Sequence, residues 1–352
     1  LQVKEWRFLD YGTLVEPAQG VLVLDVGRLL VPGVLDHHQE DGEAECAASL
    51  VVSHPTLVLD HLRGREEVTL VTHKSPDFDA VAASYLSLRL LEEGKVTLGM
   101  RKLGGYAKIV DSASLPRTVS LVDTPYTHLY AAFQTIPPPS LPGESREARA
   151  QRVGERRMKV GFEMMSKWEK AAETGEELLE NPNLFRGDRD FEKSGKIVQE
   201  DYLSYSEDCR RARKGRTLLS TIDGNGLLPV DWLMVLRPRS FLLKEWARRD
   251  FTGSPSGNGF SLIISSLYEG NFMIATSPDS GTHLRGLGTL LNRREGERRR
   301  REGAPLLEWY DGNSPFFRYR IVANPKGGTL LSPEEVFQTF QEYISSLGPI
   351  HT

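Results

Sequence analysis

Two short stretches carry the residues best suited to chemistry. "LDHH" (35–38) sets Asp36, His37 and His38 side by side after an apolar run, and "HKSPDFDA" (73–80) sets His73, Asp77 and Asp79 after another. An H-x3-D-x-D loop can offer one imidazole and two carboxylates to a common point or to two adjacent points. Imidazole nitrogen mixed with carboxylate oxygen suits Mn2+, Fe2+ or Zn2+ better than Ca2+. Asp77 and Asp79 fall at a loop-to-helix junction, where negative charge is tolerated. The same spacing also describes an ordinary helix start with an Asp cap and a surface histidine. Neighbouring side chains on a strand point opposite ways, so one of His37 and His38 reads as a ligand and the other as facing a substrate phosphate or solvent. Asp36 reads as an orienting partner for a ligand histidine. Asp25, in "VLVLDVG" (21–27), is a lone acid after four apolar residues, costly to bury unless it is paired or binds a metal. Asp111, in "YAKIVDSAS", is a similar acid and equally a helix-end or turn residue.

The elements that must position these residues follow from the pattern around them. Residues 20–27, 32–38, 67–73 and 95–100 read as strands, and 43–52 and 79–94 as helices, the second with Asp79 near its start and Gly94 at its end. Strands alternating with helices imply a parallel sheet, whose ligands bind beyond the carboxyl ends of its strands. Both histidine clusters sit at such ends. Residues 1–135 are therefore expected to form an α/β metal-binding domain. Residues 136–215 open with the proline-rich "QTIPPPSLPG" and continue as a charged helical connector. Residues 216–352, with short strands, a helix in "SFLLKEWARRDF" and a closing helix capped by Ser332 with Glu335 three residues on, are expected to form a smaller α+β domain.

Bulk composition narrows the class. The chain has 352 residues, enough for two domains, with 39% hydrophobic and 26% charged residues, as in an ordinary globular protein. A net charge of −4 gives no global attraction to nucleic acid or an anionic membrane. Cys46 and Cys209 lie far apart, no apolar run approaches the ~20 residues of a membrane span, and no signal-peptide pattern opens the chain. A cytoplasmic protein with no membrane contact is expected, and a homo-oligomer is compatible with this composition.

Taken jointly, these motifs resemble the DHH phosphoesterase family over about residues 20–115. "LDHH" matches the family's namesake motif, "HKSPDFDA" its H-x3-D-x-D motif and "VLVLDVG" the single-Asp strand before DHH; "EAECAASLVV" is similar to the helix after DHH, and "GGYAKIVDSAS" to the segment bearing the last acidic ligand. In the family the H-x3-D-x-D motif comes first. Here DHH leads, and a circularly permuted catalytic domain is the simplest account of that order. The resemblance implies two divalent ions, usually Mn2+, with Mg2+ or Fe2+ as alternatives. His73, Asp77 and Asp25 would hold one ion, and Asp79, His37, Asp111 and the bridging Asp25 the other. His38 would face the substrate phosphate, supported by Asp36. Such an ion pair polarises phosphoryl oxygens and activates water for in-line attack.

Family members act on single strands, short oligoribonucleotides, cyclic dinucleotides, pyrophosphate or polyphosphate, and the second domain distinguishes these. The expected substrate is a nucleotide or a short single-stranded oligonucleotide. The alternatives are a phosphoanhydride such as pyrophosphate and a non-catalytic nucleotide-sensing module. Candidate substrate contacts are His283 and Arg285 in "SPDSGTHLRGLG", and Arg237 and Arg239 in "RPRS". Either stretch also reads as an ordinary loop. The arginine run 293–301 is interleaved with glutamates and reads as a solvated helix or mobile loop. The aromatic stretch "WYDGNSPFFRYRIV" reads as core of the second domain.

Overall fold

Short apolar segments form the centre of the first sheet, as their burial demands. The computed structural model describes residues 2–39, 42, 44–136, 143–312 and 318–348. It divides into two units, 1–198 and 199–352. In the first unit the strands β1 (Gln2–Leu9), β2 (Val21–Leu24), β3 (Leu30–Val31), β4 (Val34–Leu35) and β5 (Glu67–His73) join in the order β1-β5-β2-β4-β3. All neighbours are parallel except β3, which is antiparallel to β4. Leu22, Leu24, Leu35 and Leu70 on the inner strands are fully buried. The register pairs Leu24 with Leu35, Val23 with Val71 and Leu9 with His73. Strands β2, β4 and β5 therefore end side by side, and the polar residues at their ends meet. The mixed α/β class with a parallel sheet is as expected. The edge strand β1 was not anticipated: Gln2, Lys4, Glu5 and Arg7 leave it half solvated, so no apolar run announces it.

Helices α1 (Ala47–Ser53), α2 (Thr56–Leu59), α3 (Phe78–Glu93) and α4 (Leu98–Asp111) pack beside this sheet. The strand expected over 95–100 does not form. Thr97 caps α4 instead, accepting from the Met100 amide at 3.3 Å, and the chain turns helical at Leu98. An apolar run this short has no period that separates strand from helix, and the cap decides. Asp111 thus ends a helix rather than a strand.

Residues 143–198 carry α6 (Arg146–Glu173) and the start of α7 (Arg189–Arg211), after α5 (Pro125–Gln134). The charged stretch expected as a connector is helical, and α6 packs on α3, α4 and β1, burying Met158, Met165 and Trp168 within the first unit. Of the proline-rich stretch, residues 137–142 lie outside the described residues. An aromatic stack ties these helices to the start of α3. Trp168 lies face to face with Phe78 at 6.1 Å and with Phe191 at 5.8 Å.

At the far end of the stack, His128 lies flat on Phe185 at 3.9 Å, with Nδ1 2.6 Å from Ser194 Oγ and Nε2 2.7 Å from the Val122 carbonyl. Burial lowers its pKa below the ordinary value. The unfolded chain accordingly takes up a proton below about pH 6.5 that the folded chain refuses, and stability falls as pH drops through that region. The urea midpoint is expected to drop more between pH 7 and pH 5 in the wild type than in His128→Gln; equal drops would contradict this assignment.

In the second unit, β6 (Arg213–Ser220), β7 (Leu227–Leu236), β8 (Leu262–Ser266), β9 (Met273–Thr276), β10 (Tyr310–Asp311) and β11 (Ile321–Ala323) form a sheet ordered β10-β11-β9-β8-β7-β6. Only β7 and β8 are parallel, joined through α8 (Leu243–Arg248). The alternating period of a strand puts Met234, Leu262 and Ile264 in one core cluster and Leu233, Val235 and Ile263 in another. Helices α9 (Leu287–Glu302) and α10 (Pro333–Leu347) complete this unit, α10 opening on the Ser332–Glu335 capping box. Trp309 lies in the core and Tyr310 is exposed, while residues 313–317 of the aromatic stretch lie outside the described residues. No helix among the described residues is long and apolar enough to cross a membrane.

The arginine run forms most of α9, and part of it is structural. Glu295 is fully buried and accepts from Arg299 Nε at 2.7 Å, the Leu330 amide at 3.0 Å and the Thr329 hydroxyl. Arg299 in turn donates to the carbonyls of Pro305 and Gly328. Arg294 pairs with Glu342, and Arg298 with Glu302. Replacing Glu295 by Ala leaves Arg299 buried without its counter-charge, which is expected to cost about 3–5 kcal/mol; urea denaturation followed by far-UV circular dichroism checks this.

Candidate metal centre

The strand ends deliver the acids and imidazoles to one place. Asp25 follows β2, Asp36, His37 and His38 follow β4, and His73 closes β5. Asp25 is 2% exposed and adopts a left-handed backbone with φ 59°. Asp is one of the few residues that tolerates this conformation. Its amide donates to the Leu35 carbonyl at 3.0 Å, extending the β2–β4 pairing by one residue. The carboxylate then points one oxygen each way: Oδ1 lies 3.3 Å from His37 Nε2, and Oδ2 3.2 Å from His73 Nε2.

Three overlapping sets of potential ligands gather around Asp25 and His37, one of them Asp25, Asp36, His37 and His38. Asp25, His73 and Asp77 bring potential ligand atoms within 4.8 Å of one another, with His73 Nε2 3.6 Å from Asp77 Oδ1. His37, Asp79 and Asp111 do the same, with His37 Nε2 3.7 Å from an oxygen of each acid. All six residues expected to ligate metal are thus brought together. Asp77 and Asp79 are also helix-end groups, as the plainer reading of that loop had it. Asp77 caps α3 by accepting from the Ala80 amide at 3.2 Å. Asp79, inside α3, reaches across to α1 and accepts from the amides of Ala47 and Ala48 at 2.7 and 2.8 Å.

Asp36 has a different task. It is fully buried and saturated, accepting from the Arg28 amide at 2.6 Å, the His37 amide at 2.8 Å and His38 Nδ1 at 2.7 Å. It therefore orients His38, and it also accepts from the His37 backbone. Burial opposes its charge, yet the His38 hydrogen bond holds its pKa below the usual carboxylate range. The His38 side chain is 30% exposed, against 2% for His37. Burial disfavours its charge too, but Asp36 and Asp25 outweigh this and raise its pKa to about 9. Strand alternation does not separate the two imidazoles, because β4 ends at Leu35. Their rings lie 4.1 Å apart, and both approach Asp25 Oδ1, His37 Nε2 at 3.3 Å and His38 Nδ1 at 3.7 Å; they differ in exposure.

The cluster holds more negative charge than its imidazoles balance. Asp79 is pushed up to about 7, first by burial and then by the charge of Asp25, against His37 and the Cys46 thiol, which favour its anion. Burial and then Asp79 drive Asp111 well above the carboxylate range, and Asp111 Oδ2 is buried with no hydrogen-bond partner. His73 is raised to about 10 because Asp77 and Asp25 overcome the cost of its burial. Carboxylates forced to keep protons, imidazoles forced to take them and a buried oxygen without a hydrogen-bond partner are features that a bound cation would satisfy. This buried Asp/His cluster could hold metal ions, and the donor set suits a divalent cation of the Mn2+, Fe2+ or Zn2+ kind.

Tyr11 is a member of the site that the sequence did not reveal. It stacks on His73 at 4.1 Å, and its hydroxyl lies 3.2 Å from His73 Nε2. A tyrosine in "LDYGT" carries no spacing signal; only the pairing of β1 with β5 brings it there.

The four expected substrate contacts belong to the second unit. Arg239 forms an exposed ion pair with Glu207 at 2.8 Å, while its amide and that of Ser240 are held by Asp208. Arg237 takes a left-handed turn with φ 52°. His283 Nδ1 accepts from the Arg285 amide at 3.0 Å, and the Arg285 guanidinium lies 5.3 Å over the Tyr319 ring. No protein-family model matches the chain, and the search of curated proteins found no match.

Because Asp111 is held against repulsion, Asp111→Asn is expected to stabilise the metal-free protein by about 0.5–2 kcal/mol while abolishing the rise in melting temperature on adding Mn2+. Calorimetry with and without chelator checks both halves.

Proposed function

We propose that the chain is a metal-dependent phosphoesterase that hydrolyses a phosphodiester, in a cyclic nucleotide or in short or single-stranded nucleic acid. The observation that carries this reading is Asp25, whose two oxygens join two sets of His and Asp ligands across the ends of parallel strands. Asp25, His73 and Asp77 would hold one divalent ion, and Asp25, His37, Asp79 and Asp111 a second. Mn2+ is the first choice, with Mg2+ or Fe2+ as alternatives. When bound, the ions neutralise charge on phosphoryl oxygens and make water nucleophilic near neutral pH. The protein's own groups do the rest. Asp36 fixes the His38 ring through Nδ1, leaving the opposite ring edge to donate to a substrate phosphoryl oxygen. Asp25, Asp79 and Asp111 are held in place by the sheet, by α1 and by α4, so the site is organised before substrate arrives.

The DHH resemblance supports the same reading. Strands β2, β4 and β5 are neighbours in one sheet, so the cluster depends on their pairing and not on the order of the motifs along the chain. A permuted DHH-type domain accounts for both.

The test is hydrolysis of a short oligonucleotide, a cyclic dinucleotide and pyrophosphate with Mn2+. Asp25→Asn is a cleaner control than a change at Asp79, which also caps α1, and Asn tolerates the left-handed backbone. Asp25→Asn is expected to lower metal affinity by at least about 100-fold. His38→Ala is expected to lower kcat by about 10^2–10^4-fold with metal stoichiometry unchanged. Turnover of pyrophosphate alone would move the substrate to the phosphoanhydrides. Tight nucleotide retention without turnover would make the chain a binding module, and a wild type that takes up no divalent metal would end the proposal.

A further inference from the structure

Helix α6 comes unusually close to the metal-centre end of the sheet, and two glycines allow it. Gly154 and Gly161 are seven residues apart and so share one face of the helix. A Cβ on Gly154 would lie 2.7 Å from the ring of Phe8 in β1, and one on Gly161 2.4 Å from Val81 in the first turn of α3. No side chain fits at either point. Arg157 lies between them, three residues after one and four before the other, and so on the same face. This brackets it between the end of β1, which leads to Tyr11, and the start of α3, which carries Asp77.

The surroundings of Arg157 are incomplete. Its Nε is buried without a hydrogen-bond partner. Its guanidinium carbon lies 5.2 Å over the Phe133 ring of α5. The ionisable groups it feels are Tyr130, Asp77 and Tyr11. Asp77 is committed elsewhere, to the Ala80 amide and to His73. Tyr130 packs against Tyr126 at 4.9 Å and Phe133 at 6.0 Å, and its hydroxyl has no hydrogen-bond partner among the described residues. A phenol keeps its proton near neutral pH and is therefore a donor. A partly desolvated cation and a neutral hydroxyl thus both lie near enough to Asp77 to feel its charge.

We propose that Arg157, assisted by the Tyr130 hydroxyl, binds a phosphate oxyanion of the substrate beside the Asp25–His73–Asp77 set. This inference rests on the phosphoesterase reading of the metal centre. A guanidinium offers parallel donors that match two oxygens of one phosphate, and the Phe133 ring keeps the fork from turning away. It also assigns α6 a part in the site, although its sequence carries no motif.

Calorimetric titration of the Mn2+-loaded protein with inorganic phosphate tests this, with Mn2+ stoichiometry measured separately for every variant. Arg157→Met is expected to weaken phosphate binding by at least about tenfold while still taking up the wild-type amount of Mn2+, with Arg157→Lys falling between. Tyr130→Phe, a smaller change should Arg157→Met fail to fold, is expected to weaken it by about three- to tenfold. Phosphate affinity within twofold of wild type in Arg157→Met and Tyr130→Phe would overturn the proposal and leave the metal centre intact, as would a Mn2+-loaded wild type that binds no phosphate. Loss of Mn2+ in Arg157→Met would recast Arg157 as a support for Asp77 and also overturn it. A wild type that binds no Mn2+ would sink the phosphoesterase reading itself, and this inference with it.

Discussion

The first unit is organised around one electrostatic problem: five carboxylates and three imidazoles gathered at the end of a sheet, most of them buried. Asp25 stands at its centre, with one oxygen toward His37 and the other toward His73. Burying an acid is costly unless its charge is met, and here the imidazoles meet only part of it. The left-handed backbone at Asp25 adds a further local cost. Such a residue persists because the surrounding sheet over-determines it: its amide is fixed to Leu35 in β4, and its carboxylate is fixed by histidines from β4 and β5.

The same acids hold the fold together. Asp77 caps α3, Asp79 caps α1 from a neighbouring helix, and Asp36 ties the Arg28 amide to the His37–His38 turn. Each uses backbone amides that would otherwise be orphaned at a helix start or a turn. The candidate metal cluster and local folding therefore draw on one set of side chains. Loss of a ligand at Asp79 disturbs a helix, whereas loss at Asp111, which makes no such bond, mainly relieves repulsion.

Much of this was legible because the residues concerned sit beside strong local signals. The apolar runs before Asp25, Asp36 and His73 could be read as strands, and parallel strands collect their C-terminal ends. Ser332 and Glu335 announced α10 by spacing alone. Other parts left no trace along the chain. The half-polar β1 carries no apolar run, so Tyr11 had no reason to be associated with His73. The run at 95–100 was too short to show a period, and Thr97 turned it into a helix. The charge of this stretch suggested a helical connector, but Gly154 and Gly161 let one face of α6 pack closely into the first unit. At β1 and α6 the deciding interaction joins residues distant in sequence, which no window of neighbours can display.

The pairing of Leu24 with Leu35 and of Val23 with Val71 has a consequence for how such a chain can vary. Sliding β4 by one residue against β2 would reverse the faces of its side chains, displace His37 and His38 from Asp25 and carry Asp36 away from the Arg28 amide. Length changes in the turns at the opposite edge of the sheet leave the pairing untouched and should accumulate freely. A gain or loss of one residue between Val34 and His38 would scramble the whole cluster at once. Divergence in this protein is thus constrained less by the identity of its loops than by an indivisible count of residues along three short strands.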